Sequence, residues 1–323
     1  MAACFVWRNY NSGSVYFPTL VICLQCKPIY FRAMLQNPIA ETELILNPDG
    51  SVFHLHLKNE NIADTVLLVG DPGRVAQIRR HFSRIETQLA HSEFVTCTGF
   101  YKGKRITALS SGIGTDNIDI VLNELYAAVN INPKTRLPNE VKRELQIIRI
   151  GTSGALQPDI AVASHVASAF GLGLDGLMRY YNYPFSKIEN ELGEAFNDRC
   201  AWHSESAKPY FVQADEALLS EIGAGMTLGI TATATGFYGP QGRNLLGGEA
   251  VLPINEVLQK VALGPWRITN FDMETTAIYG LGRLFGFACC TANTIIANRA
   301  TKEFSKNVTR QVDDLIALVL ARL

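Results

Sequence analysis

The 323-residue chain contains no long run of basic residues. Its 29 Lys and Arg stand against 30 Asp and Glu, a net charge of −1, so nothing suggests an electrostatic surface for nucleic acid. A small-molecule partner is expected instead. No apolar stretch is long enough to span a bilayer, the run from Thr19 to Leu24 being far too short, and no membrane association is expected. The seven cysteines, Cys4, Cys23, Cys26, Cys97, Cys200, Cys289 and Cys290, are odd in number and fall in no disulfide framework. They point to a reducing, cytoplasmic setting. Cys23 and Cys26 form a lone C-x-x-C, but neither a second pair nor a nearby histidine completes a metal site, and none is expected. Internal repeats and low-complexity tracts are also missing, as is any linker that would divide residues 51–323.

The first 33 residues carry aromatics without a helical or alternating period. Arg8 precedes their apolar run as in a secretory signal, yet no small-residue cleavage site follows. Residues 1–50 are read as an N-terminal extension, with Met34 an alternative start, and 51–323 as one domain.

From residue 51 onward apolar runs alternate with amphipathic segments. Strands are expected near 65–70, 94–100, 105–111, 146–151, 160–170, 226–235, 267–272 and 288–297. Helices are expected over 73–82, 117–129, 253–262, 274–286 and 307–322. This order predicts a single-domain α/β fold, three layers (α/β/α) around a mixed central sheet. Asn130 to Lys142, with two prolines and several charges, reads as a surface insertion.

Chemistry concentrates where strands end in glycine. Val66 to Val69 run into Gly70-Asp71-Pro72-Gly73-Arg74, a turn whose backbone approaches a ligand closely and which delivers one forked cation. Alone it is also an ordinary turn. Gln146 to Ile150 lead into Gly151-Thr152-Ser153-Gly154, and Arg149 lies inside that apolar strand. A buried charge there needs an anion or a salt bridge. Ser110 to Asn117 end a third strand at a helix start, which favours negative ligands. Phe237-Tyr238-Gly239-Pro240-Gln241-Gly242-Arg243 offers an aromatic face, an amide and a guanidinium within seven residues. That set can stack on a planar heterocycle and suits the O2, N3–H and O4 edge of uracil, or it is a polar loop packed by its aromatic ring. Asn270 to Ala277 place Asp272 and Glu274 where a strand meets a helix, as ribose acceptors or as helix caps. His54, in Val52-Phe53-His54-Leu55, has no local partner of note.

The ordered set resembles the nucleoside phosphorylases of the trimeric and hexameric type, most closely the uridine phosphorylases. The resemblance covers roughly residues 51 to 321 and rests on VFHL, GDPGR, SSGIG, RIGTSGALQP, LDG at Leu174 to Gly176, FYGPQGR, NFDMET and IIANR. It implies that Gly70, Arg74, Arg149 and Thr152 hold phosphate, that Met273 and Glu274 bind ribose hydroxyls, and that Phe237, Gln241 and Arg243 grip a pyrimidine. It implies too that His54 reaches the ribose 5′-hydroxyl of a neighbouring subunit, in a homo-oligomer that is at least a dimer and in some relatives a hexamer. Arg299 would back the base loop. Purine-specific relatives carry a Ser-Asp pair where this chain reads Ala297-Asn298-Arg299, which tilts the preference towards pyrimidine.

Two departures matter. His91-Ser92-Glu93-Phe94 has serine where the family usually has an arginine that crosses the dimer interface to phosphate. A charge-assisted bond is worth about 1.5–3 kcal/mol, so phosphate binding weakens by one to two orders of magnitude unless another arginine substitutes. Asp272 stands where glutamate is usual. The implied reaction is reversible phosphorolysis of uridine in nucleoside salvage or catabolism, with Arg74, Arg149, Gln241 and Arg243 as catalytic groups and inorganic phosphate as co-substrate. No redox cofactor or catalytic metal is implied; a monovalent cation near Glu93, Ile113 and Asn117 is found in some relatives. The alternatives are a purine nucleoside phosphorylase or a nucleoside hydrolase of the same fold, or a non-catalytic nucleoside-binding protein.

Overall fold

Thr65–Val69 form β1, and all five residues are buried because the strand is covered on both faces and paired on both edges. Its neighbours, β4 (Lys104–Ser110) and β5 (Gln146–Ala155), both run parallel to it. The structure is a computed structural model and describes residues 37–200, 202, 206–245 and 253–323. The Thr19 to Leu24 run and Cys4, Cys23 and Cys26 lie outside the described residues.

Beyond β4 the sheet continues as an antiparallel meander of β3 (Phe94–Tyr101) and β2 (Arg84–His91). On the other side β5 pairs along its whole length with β11 (Ala288–Asn298), which pairs with β6 (His165–Gly173), then β8 (Thr227–Thr233), then β10 (Trp266–Asp272). β10 returns to β5 through Asn270 opposite Ala155 and Phe271 opposite Gly154. Half of the sheet therefore closes on itself, and β5 belongs to both halves. Three short strands sit on this frame: β7 (Tyr210–Gln213) on β6, β9 (Ala262–Leu263) on β10 and β12 (Glu303–Phe304) on β11.

Side-chain alternation assigns the two faces. Val66, Leu68, Leu109 and Ile147 pack under α2 (Thr115–Asn130) and α6 (Thr275–Phe285), through Val121, Leu122, Leu125, Ile278 and Leu281. Leu67, Val69, Ile148, Ile150 and Cys290 pack on the opposite face under α1 (Pro72–Arg79) and α7 (Val308–Ala321). A third cluster joins the closed half to α3 (Lys187–Arg199) and α5 (Ile254–Lys260) through Leu192, Phe196 and Leu258. α4 (Glu216–Ile222) adds Leu218 and Ile222 to the α7 side. The expected mixed sheet with helices on both faces is present.

The sequence pattern missed β2, β7, α3 and α4, and the two-residue strands β9 and β12. β2 is mostly exposed, with Leu89 only partly buried against the core, so its hydrophobic alternation is weak. α3 is announced by a capping box, Ser186 to Glu189, which the hydrophobic pattern overlooks. The strand expected near 160–170 begins at His165, after turns at Gln157 to Ser164. Residues 131–145 form no helix or strand; their one β-bridge pairs Ile131 with Pro138. Residues ahead of 51 join the body: Ile39 N–H donates to the Arg136 carbonyl at 2.9 Å, and Leu44 is buried in the core below α2.

Candidate active site

The site collects at the ends of β1, β5 and β10. Gly70 ends β1 so close to the next turn that a Cβ there would stand 3.2 Å from the Gly112 carbonyl oxygen. Asp71 caps α1 by accepting from Gly73 N–H at 2.8 Å, with Pro72 in the first helical position, and this fixes the exit of Arg74. Arg74 Nη2 then donates to Thr152 Oγ1 at 3.1 Å, joining the first glycine turn to the second.

Arg149 is buried and its Nη2 is paired with Glu274 Oε2. Of the two readings of this arginine, the salt bridge is the one seen directly: Glu274 is its carboxylate partner. Burial, and then repulsion from Arg149, lower the pKa of Arg74, while for Arg149 burial is outweighed by Glu274 and Asp272 together and the pKa is raised. Two guanidiniums held this close favour an anion between them. Glu274 is fixed on its other oxygen by Gly114 N–H at 2.9 Å, and Met273 N–H approaches Oε2 at 3.3 Å. The Gly114 donor comes from the turn that opens α2, where Gly112 takes φ of +71° and leaves room for the Asn117 amide.

Asp272 serves another purpose. Its oxygens accept from Thr233 Oγ1 at 2.9 Å, Thr275 Oγ1 at 2.5 Å and Thr275 N–H at 3.1 Å, so it holds the start of α6 to β8. Burial raises its carboxyl to about 6, against the pull of Arg149. Asp175 of the LDG motif is likewise structural, accepting from Tyr210 Oη at 2.7 Å and Thr276 Oγ1 at 2.8 Å.

The loop that carries Phe237, Gln241 and Arg243 leaves β8 beside Asp272, because Thr233 and Asp272 are register partners. Arg243 stacks over Phe237, its guanidinium carbon 3.6 Å from the ring centroid, and donates to Gln241 Oε1 at 2.7 Å. Arg299, at the end of β11, donates to the Gln241 carbonyl at 2.5 Å and so supports the loop from below. Burial and the neighbouring Arg299 lower the Arg243 pKa to about 10. Asn298 is committed to the fold: its Nδ2 donates to the Gln157 and Ile160 carbonyls and its Oδ1 caps Ala300 and Thr301.

His54 stands apart from this set. Its Nδ1 meets Glu124 Oε1 at 2.6 Å, and both its own N–H and that of Leu55 donate to the same carboxylate. Glu124 lies ten residues along α2 from Gly114, about 15 Å by helical rise. His91 Nδ1 contacts the His54 carbonyl at 3.0 Å, and Ser92 forms the adjoining turn with φ of +51°. Asn117 Nδ2 and Glu93 Oε1 are 3.4 Å apart on the same surface, beside exposed Ile113. Asn293 escaped the sequence reading, although an amide inside a buried strand is the same kind of signal that marks Arg149.

The sheet that closes on itself thus carries an arginine pair and a buried glutamate at its strand ends and an aromatic–amide–guanidinium loop beside them. The profile of the phosphorylase superfamily matches residues 64–323, and the chain belongs to that superfamily, as a nucleoside phosphorylase. It is 30% identical over 262 residues to the uridine phosphorylase of Thermococcus kodakarensis, covering 80% of this chain and 81% of the relative. A DeoD-type purine nucleoside phosphorylase of Buchnera aphidicola is 27% identical over 275 residues, 83% of this chain and 97% of the relative. In three dimensions it is similar to a Trypanosoma brucei nucleoside phosphorylase described as showing uridine phosphorylase activity, with a TM-score of 0.80 at 26% identity, covering 87% and 99% of the two chains.

Proposed function

We propose that this nucleoside phosphorylase acts on uridine, giving uracil and ribose 1-phosphate reversibly in cytoplasmic nucleoside salvage or catabolism. The observation that carries the pyrimidine assignment is the cationic base loop. Arg243 and Arg299 bracket Gln241, and residues 231–245 and 295–302 contain no carboxylate that would protonate a purine.

Phosphate sits between Arg74 and Arg149, with Gly70 and Thr152 completing the cradle. It attacks C1′ from below the sugar as the glycosidic bond breaks through an oxocarbenium-like transition state, forming a C1′–O bond while the bonding pair leaves with the base. Arg243 and Gln241 stabilise the uracil anion, which takes its proton after departure. Glu274 accepts a ribose hydroxyl and Met273 packs on the sugar. Phosphate displaces Glu274 from Arg149 as it enters, so anion and sugar sites fill together.

The Glu124 that holds His54 lies about 15 Å along α2 from the Gly114 that holds Glu274, which favours service of His54 to a second subunit and an active site shared across a dimer. The Ser92 turn flanks His54 and removes one cation from that shared edge. Glu93, Asn117 and the Ile113 carbonyl offer oxygen donors suited to a monovalent cation at the same edge.

The test is release of uracil from uridine with and without phosphate, with inosine as control and the sugar product identified. Phosphate-dependent release with ribose 1-phosphate is expected. Phosphate-independent release would make the enzyme a hydrolase, cleavage of inosine alone would move the base to purine, and tight uridine binding without turnover would leave a binding protein.

A further inference from the structure

Asn293 of β11 is fully buried, yet neither its Oδ1 nor its Nδ2 has a hydrogen-bond partner, and Arg149 Nη1 is equally buried and unpartnered. Such groups are costly to leave unpaired in a protein interior. Strand register puts them together. Asn293 is opposite Gly151, Thr291 is opposite Arg149, and alternation turns Arg149, Gly151 and Asn293 to one face. A Cβ on Gly151 would stand 2.0 Å from Arg149 Nη1 and 2.0 Å from Asn293 Oδ1, so the two atoms are no further apart than twice that distance. Only glycine leaves the space in which they approach each other.

Arg149 therefore has one guanidinium nitrogen on Glu274 and another turned toward an acceptor it has not reached. A ligand anion competes with Glu274 for this guanidinium, and a flexible side chain released from one partner loses its aim unless a second one holds it. We propose that Asn293 is a positioning residue for phosphate binding: its Oδ1 accepts from Arg149 Nη1 when phosphate draws the guanidinium away from Glu274, and so keeps the fork aimed at the anion. The inference rests on the phosphate role of Arg149 stated above. It concerns a residue that touches the arginine and not the reacting atoms.

The experiment measures phosphate affinity by calorimetry on the otherwise unliganded protein, together with the phosphate and uridine KM, for wild type, Asn293→Leu, Arg149→Lys and the double variant. Leucine keeps the branching and heavy-atom count of asparagine without its polar atoms, at a larger volume, and Asn293→Ala replaces it if the leucine variant fails to fold. In the wild-type background Asn293→Leu should raise the phosphate Kd and KM by about tenfold, ~1.4 kcal/mol, with the uridine KM little changed. In the Arg149→Lys background, where no fork remains to be aimed, the same substitution should cost under about twofold. Unchanged phosphate affinity in Asn293→Leu overturns the inference, and so does an equal loss in both backgrounds, which marks a merely structural residue. A wild-type protein that binds no phosphate overturns the reading of the whole cradle, and that result is separate from the comparison between variants.

Discussion

At the scale of single residues, the pairing of Arg149 with Glu274 decides how the site responds to substitution. Both side chains are buried, so removing one leaves the other as an uncompensated charge. Arg149→Met should lower stability by about 3–5 kcal/mol and abolish phosphate binding, whereas Arg149→Met with Glu274→Gln should recover much of the stability and none of the activity. Urea unfolding and phosphate titration of the two proteins separate these effects. Asp272 makes a prediction of opposite sign to a surface carboxylate. Its folded pKa is raised by burial to about 6, so its contribution to stability is complete below about pH 3.8 and is lost as the pH rises through 6. Relative to Asp272→Asn, the wild type should lose roughly 2 kcal/mol between pH 4 and pH 7. Denaturant midpoints at the two pH values check this, and a difference that grows in favour of the wild type with pH would show that the threonine hydrogen bonds outweigh burial.

Elements differ in how openly their sequences declare them. β1 and β5 are legible because strands covered on both faces are continuous apolar runs, and Arg149 stood out by interrupting one. α2, α6 and α7 carry the period of helices with one face on a sheet. α3 was illegible by that criterion because few of its side chains are buried, but its Glu189 is an anchor. Glu189 accepts from Ser186 N–H at 2.7 Å, Gln213 N–H at 2.8 Å and Arg283 Nη1 at 2.7 Å. It thus ties α3 to β7 and α6. Glu189→Ala should cost about 3 kcal/mol or more in unfolding while leaving nucleoside and phosphate KM near wild type, because none of its partners reaches the phosphate cradle or the base loop. Calorimetric unfolding with steady-state kinetics on the same preparation tests both halves of that expectation.

For the whole molecule, the decisive question is whether one chain holds a complete site. His54 is held by Glu124, ten residues along α2 from the Gly114 that holds Glu274, a separation of about 15 Å by helical rise, and the proposal that His54 serves a second subunit rests on it. Subunits carrying His54→Ala, mixed with subunits carrying Arg149→Met and allowed to exchange, should regain activity that neither variant has alone. In each mixed dimer one site then receives both intact residues. Mixtures no more active than the average of their components would place every essential group within one chain.

By itself the sequence determined the strands that end in glycine, the arginines those turns carry, and the acids at the start of α6, since each depends on local chemistry and short spacing. It did not determine that the carboxylate of Asp272 is spent on Thr233 and Thr275 while that of Glu274 faces Arg149. Two acids one residue apart are indistinguishable until the sheet has placed their partners. Nor did it bring Asn293 to Arg149 across 144 positions of chain, which follows only from the parallel register of β11 on β5. Register is a property of paired strands, and the closing of the sheet through β10 is what turns separate motifs into one site.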